Sequence, residues 1–130
     1  MKIDNTIALV TGANRGIGLA FTKALLARGA RKVYAAARDP ASVPALPGVE
    51  AIQLDVTKPD QVAAAVARAG DVNLLVNNAG VGQFGGFLAA DSEEVARQML
   101  EVNFFGMLRM SKPSRRCWPR MVAGRAAAHC

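Results

Sequence analysis

The sequence predicts an α/β protein built on a doubly wound parallel sheet of about four strands, in the order 3-2-1-4. Three observations carry that prediction. Apolar runs of strand length alternate with stretches of helical periodicity. The first such run feeds a glycine-bearing turn, Thr11-Gly12-Ala13-Asn14-Arg15-Gly16-Ile17-Gly18, which opens straight into a helical pattern. The connections are short, so each helix returns over the sheet by a right-handed crossover and neighbouring strands run parallel.

Taken in order, Thr6 to Val10 is a continuous apolar run and reads as a buried strand. Ile17 to Arg28 carries apolar residues at Ile17, Ala20, Phe21, Ala24, Leu25 and Ala27, the spacing of a helix packed on a sheet, and Gly29 stops it. Lys32 to Ala37 is the second strand. Arg38 to Gly48 holds Pro40, Pro44 and Pro47 and is expected to be irregular, with at most a short helix. Val49 to Leu54 is the third strand. Thr57 or Asp60 is expected to cap a helix over Pro59 to Ala69, with Pro59 in its first turn. Asp71 to Val76 is the fourth strand, followed by a loop with Gly80, Gly82, Gly85 and Gly86. Asp91-Ser92-Glu93-Glu94 then opens a helix of about twenty residues, its acids placed where the helix dipole favours them.

Composition narrows the class. Hydrophobic residues make up 52% and charged residues 20%, a globular balance. No apolar run has membrane-spanning length, and the N-terminus lacks a secretory pattern, so the cytoplasm is the expected compartment. Two cysteines, Cys117 and Cys130, make no disulfide framework, and the single histidine, His129, makes no metal cluster. Of the formal charge of +6, five units lie in the tail. Residues 1–110 balance to +1, whereas Lys112, Arg115, Arg116, Arg120 and Arg125 have no acid among them.

The turn after the first strand has the chemistry of a phosphate cradle. Gly12 allows a tight turn, Gly16 lets backbone approach a pyrophosphate, and Gly18 lets the helix pack closely on the sheet. The helix N-terminus offers free N–H groups and a positive dipole end. Asn14, Arg15 and Ile17 complete the cradle. Glycines in a loop also serve backbone angles alone; the strand–turn–helix context favours the nucleotide reading.

The Gly-x-x-x-Gly-x-Gly spacing, preceded by Thr11, resembles the short-chain dehydrogenase/reductase family. Three further stretches agree: Asp55-Val56 after the third strand, Asn77-Asn78-Ala79-Gly80 after the fourth, and Asn103 within Val102-Asn103-Phe104-Phe105-Gly106. The resemblance covers about residues 5–112 and implies a Rossmann-like fold. It implies a dinucleotide held by Gly12, Asn14, Arg15, Gly16, Ile17, Gly18, Arg38, Asp55, Val56, Asn78, Ala79 and Gly80, with Asp55 and Val56 beside the adenine. It also implies hydride transfer between the cofactor and a carbonyl or alcohol carbon. Arg38, ending the second strand, and Arg15 in the turn suit a ribose 2′-phosphate, so NADP(H) is expected over NAD. Against this stands the reading of both as surface arginines, with Asp39 able to pair with Arg38.

The resemblance also implies a catalytic serine, and a tyrosine with a lysine four residues on, and this chain contains neither constellation. Its one tyrosine, Tyr34, lies in the second strand, and Ser111 and Ser114 come too early. Asn103 is the one catalytic-site position that carries over, as the asparagine behind that lysine. From Pro113 the chain continues no helical pattern. Residues 113–130 therefore read as a basic tail outside the family text, either out of frame or naturally divergent. The chain is expected to be an inactive dinucleotide-binding half. The alternatives are a non-enzymatic NADP(H)-binding module or one that pairs with a homologue, and a binder of anionic surfaces through the tail. An unpaired fourth strand and apolar residues Met99, Leu100, Phe104, Met107 and Leu108 point to low stability alone and to a homo-oligomer.

Overall fold

The computed structural model describes residues 3–82 and 92–117. Ile7–Thr11 forms β1, Lys32–Ala37 β2, Val49–Gln53 β3 and Leu74–Val76 β4. They make one parallel sheet in the order β3-β2-β1-β4. Helix α1 covers Gly16–Ala27 and α2 covers Pro59–Arg68. A single 3₁₀ turn, Pro40–Ser42, is the only helix in the proline-bearing stretch that follows β2. The Rossmann-like arrangement expected from the sequence is the one observed.

Period-two alternation divides the core between the two faces of the sheet. Ile7, Leu9, Tyr34, Ala36 and Ile52 point to one side, where Val62, Ala65 and Val66 of α2 and Met110 meet them. Ala8, Val10, Val33 and Ala35 point to the other, against Leu25 and Leu26 of α1. Leu9, Val10 and Val33 are wholly buried, each worth about 1.5–3 kcal/mol of transfer free energy. Below the sheet, Glu50 is paired with Lys32 and Arg68, and the Tyr34 hydroxyl donates to Asp71 at 2.8 Å. Lys32 holds the Glu50 carboxyl below its ordinary value, and Glu50 in turn holds the Lys32 ammonium above its own.

The long helix runs unbroken from Ser92 to Cys117 but changes pitch on the way. Ser92–Leu100 is α3, Glu101–Gly106 is a wider π turn, and Met107–Cys117 is α4. Helical structure continues through Pro113, contrary to the expected end of the pattern there. A proline forfeits one N–H and disturbs one preceding turn, and here the turns before Pro113 are held by Met110, buried in the core. Leu100, Phe104, Phe105, Met107 and Leu108 are exposed, whereas Met99 is half-buried. Among the described residues β4 pairs with β1 alone.

Two local expectations are corrected. Neither Thr57 nor Asp60 caps α2. Its N-cap is Lys58, without a side-chain bond, because the Thr57 hydroxyl is taken by Asp55 and Asp60 lies inside the first turn. The fourth strand is shorter than Asp71 to Val76. Val72 N–H closes back on the Ala69 carbonyl, and Asn73 uses its side-chain oxygen to accept from Ile7 N at 3.0 Å. Regular pairing therefore begins at Leu74. Gly85, Gly86, Asp91, His129 and Cys130 lie outside the described residues.

Candidate functional site

The carboxyl ends of β1, β2, β3 and β4 open onto one cleft of about 1410 Å³, walled on its far side by α3 and the π turn. A crevice beyond the carboxyl ends of the strands, where strand order reverses between β1 and β4, is where this architecture binds ligands. All twelve residues expected to contact a dinucleotide line it: Gly12, Asn14, Arg15, Gly16, Ile17, Gly18, Arg38, Asp55, Val56, Asn78, Ala79 and Gly80.

The turn after β1 is shaped for a large anion. Gly12 and Gly16 adopt φ of +67° and +55°, the left-handed region that glycine enters without strain. A Cβ at Gly16 would meet nothing within 4 Å, so that face of the turn is open. Gly18 is the opposite case: a Cβ there would collide with the Gly12 carbonyl oxygen and lie 2.5 Å from Asn78 Nδ2. The first turn of α1 carries no acid, and its N-cap, Arg15, makes no side-chain bond to it. The free N–H groups and dipole end of α1 thus face the cleft without a competing carboxylate.

Sequence reasoning passed over the residue that joins the two glycine-bearing loops. Thr11 is buried, and its Oγ1 accepts from Asn78 N at 3.0 Å and Ala79 N at 2.9 Å while donating to the Val76 carbonyl. Asn78 Nδ2 returns two bonds, to the carbonyls of Thr11 and Gly12. The signal was present: a threonine immediately before Gly12, and an Asn-Asn pair ending the neighbouring strand.

At the β2 end, Arg38 is exposed and forms no ion pair among the described residues. The Asp39 carboxylate accepts from Ala41 N at 3.0 Å and caps the 3₁₀ turn instead. At the β3 end, burial alone would raise the Asp55 carboxyl. Bonds from the Thr57 hydroxyl at 2.7 Å and Thr57 N at 2.9 Å, with Arg38 and Lys58 nearby, outweigh it and leave the group below its ordinary value.

Asn103 lies outside the lining of the cleft, and its side chain is committed to the loop after β4. Its Oδ1 accepts from Val81 N and its Nδ2 donates to Val81 O, both at 2.8 Å. Val81, Gly82 and the α3 residues Arg97 and Gln98 line the cleft as well, and nothing in their residue types announced it. Tyr34 does not reach the cleft, and Ser111 Oγ accepts from Asn77 Nδ2 at 3.2 Å while donating to the Met107 carbonyl. No cluster of potential metal ligands occurs among the described residues, and no helix among them is long and apolar enough to cross a membrane.

An open glycine cradle at an uncapped helix end, with two arginines in no ion pair among the described residues, fits a dinucleotide bearing several phosphates. Comparison with known proteins agrees. The profile of the short chain dehydrogenase family matches residues 6–128. D-erythrulose reductase of Gallus gallus is 44% identical over 109 aligned residues, an alignment that covers 81% of this chain and 44% of that protein. A short chain dehydrogenase from Burkholderia cenocepacia J2315, solved in complex with NADP, is 45% identical with a TM-score of 0.82, covering 86% of this chain and 48% of that one. The 3-ketoacyl-(acyl-carrier-protein) reductase of Brucella melitensis, complexed with NADH, is 30% identical with a TM-score of 0.73, covering 86% and 50%. The chain spans about half the length of the relatives it matches. With its strand order, its phosphate turn and its matched residues in agreement, this chain belongs to the short chain dehydrogenase family of oxidoreductases.

Proposed function

We propose that this chain carries the dinucleotide-binding half of an NADP(H)-dependent oxidoreductase of the cytoplasm, with residues 1–112 supplying the site. One observation carries the choice of cofactor. Arg38 and Arg15 both line the cleft and form no ion pair among the described residues, and Asp39, next to Arg38 in sequence, is engaged by its own turn. A 2′-phosphate at that point meets two cations that no carboxylate pairs with among the described residues.

In this reading Gly12, Asn14, Gly16 and Ile17 hold the pyrophosphate with backbone N–H groups at the head of α1. Gly18 keeps that helix end tight on the sheet. Arg15 and Arg38 neutralise the 2′-phosphate. Asp55 and Val56 border the adenine, and Asn78, Ala79 and Gly80 border the far ribose. The bound nicotinamide would supply or accept the hydride exchanged with a carbonyl or alcohol carbon. Asn103 holds the Val81 backbone and so shapes that end of the cleft.

The chain's own side chains include no serine, tyrosine and lysine set to handle the proton, since Tyr34 is buried and its hydroxyl donates to Asp71. The 130-residue chain is therefore expected to bind without turnover. The exposed residues Leu100, Phe104, Phe105, Met107 and Leu108, and a β4 paired on one side among the described residues, favour a second reading, a module that pairs with a homologue or with another copy. Calorimetric titration with NADPH and NADH tests the first reading: NADPH is expected to bind at least about tenfold tighter, and equal affinities would overturn it. Sedimentation of the chain alone and mixed with a full-length homologue tests the second, which a monomer at all concentrations in both would overturn.

A further inference from the structure

The wall of the cleft changes pitch at Glu101–Gly106, and two charged side chains meet across that change. In an unbroken α-helix residues eight apart stand about 80° out of phase, because each residue advances about 100°. One wider turn absorbs that excess and brings Glu101 and Arg109 onto one face. There Arg109 Nη1, sealed from solvent, lies 2.6 Å from Glu101 Oε1. It sits off the line of a hydrogen bond, so charge and distance make the contact.

The same turn contains Asn103 and Gly106. Asn103 grips Val81 through both polar atoms of its amide. The Gly106 backbone packs so tightly on Val56 that a Cβ there would lie 2.5 Å from Val56 Cγ2. Val56 and Val81 both line the cleft. Relaxing the wide turn to a regular helix rotates one end against the other by about 100°, and the two grips cannot both survive.

We propose that the Glu101–Arg109 ion pair is a staple that selects the π register, making both of them positioning residues that shape the cleft through Asn103, Val81 and Gly106. The two side chains remain 30% and 41% exposed, but Arg109 Nη1 itself is shielded from water, and a shielded donor that loses its carboxylate is left without compensation, so the register that pairs the two is the one retained.

Amide exchange of the full 130-residue chain without cofactor tests this, with Glu101→Gln and Arg109→Gln as the neutral variants. Val81 N–H is expected to exchange at least about tenfold faster in either variant, with the β1 and β2 amides unchanged. The charge-swapped pair Glu101→Arg with Arg109→Glu is expected to regain protection, which a packing role alone would not give. Unchanged Val81 protection in both neutral variants would overturn the staple, as would its equal loss in the swap. If the neutral variants do not fold, recovery of the fold in the swap supports the staple and its failure there overturns it. Only a second arm rests on the dinucleotide reading: NADPH affinity should fall about three- to tenfold in the neutral variants and recover in the swap. Protection that behaves as expected beside absent NADPH binding would defeat that reading and leave the staple standing.

Discussion

Replacing Thr11 with valine removes one oxygen and almost no volume, which isolates the polar link between the two loops of the cleft. Thr11 is 2% exposed, so the new methyl enters space already filled by protein. Asn78 N and Ala79 N both lose their acceptor. Each such bond is worth about 1 kcal/mol net, and more where the stranded donor stays dry. Asn78 and Ala79 are half-buried, so water restores part of the loss, and the expected cost is about 2–3 kcal/mol. Against a total stability of about 5–15 kcal/mol this is a large fraction. Thr11→Ser keeps the oxygen and gives up one methyl, about 0.8 kcal/mol. Urea unfolding at 25 °C reads both. A valine variant within about 0.5 kcal/mol of the parent, or a serine variant as damaged as the valine one, would refute the reasoning.

Gly18→Ala places a methyl against the Gly12 carbonyl and Asn78 Nδ2; it should destabilise by about 1–3 kcal/mol in the same assay, whereas an alanine at the open Gly16 bears only the positive-φ strain of about 1–2 kcal/mol. Arg38→Asp should reverse cofactor preference from NADPH toward NADH in a calorimetric titration, and retained NADPH affinity would remove Arg38 from the site. The Glu50 carboxyl titrates below its ordinary 4.5, so the stability it supplies is complete above that value and is lost as pH falls through the lower folded one. Glu50→Gln should therefore flatten the acid limb of a pH-dependent urea series, and an unchanged limb would assign the acid sensitivity elsewhere. The Lys32 ammonium titrates above its ordinary value, so its share is retained through neutral pH and lost only in strong alkali.

The sheet was legible because each strand alternates two buried faces or runs apolar throughout, and because Gly29 and the proline cluster mark where elements end. The phosphate turn was legible because glycine is required there by backbone angle and by close approach, both of which residue type records. The π turn was not. A wide turn is made by contacts on either side of a helix, here Asn103 on Val81 and Gly106 on Val56, and these join segments far apart in sequence. Pro113 misled for the converse reason: a local breaking tendency is outweighed when the helix before it is already anchored by Met110 in the core. Asn73 shortened β4 with a side-chain oxygen that imitates backbone, a substitution periodicity does not detect.

Thr11 has one consequence at a distance. β3 and β4 each have a single strand neighbour among the described residues, but β4 is held by three residue pairs and β3 by five, so β4 is the edge that thermal motion peels away first. Its last residue, Val76, and the loop that follows are tied through Thr11 to the floor of the cleft. Fraying of the outermost strand and distortion of the ligand cradle are therefore one motion rather than two. A dinucleotide seated on that floor would act as a remote buckle on the sheet edge, lowering the population of its open state by the same factor by which an already closed edge tightens the grip on the ligand.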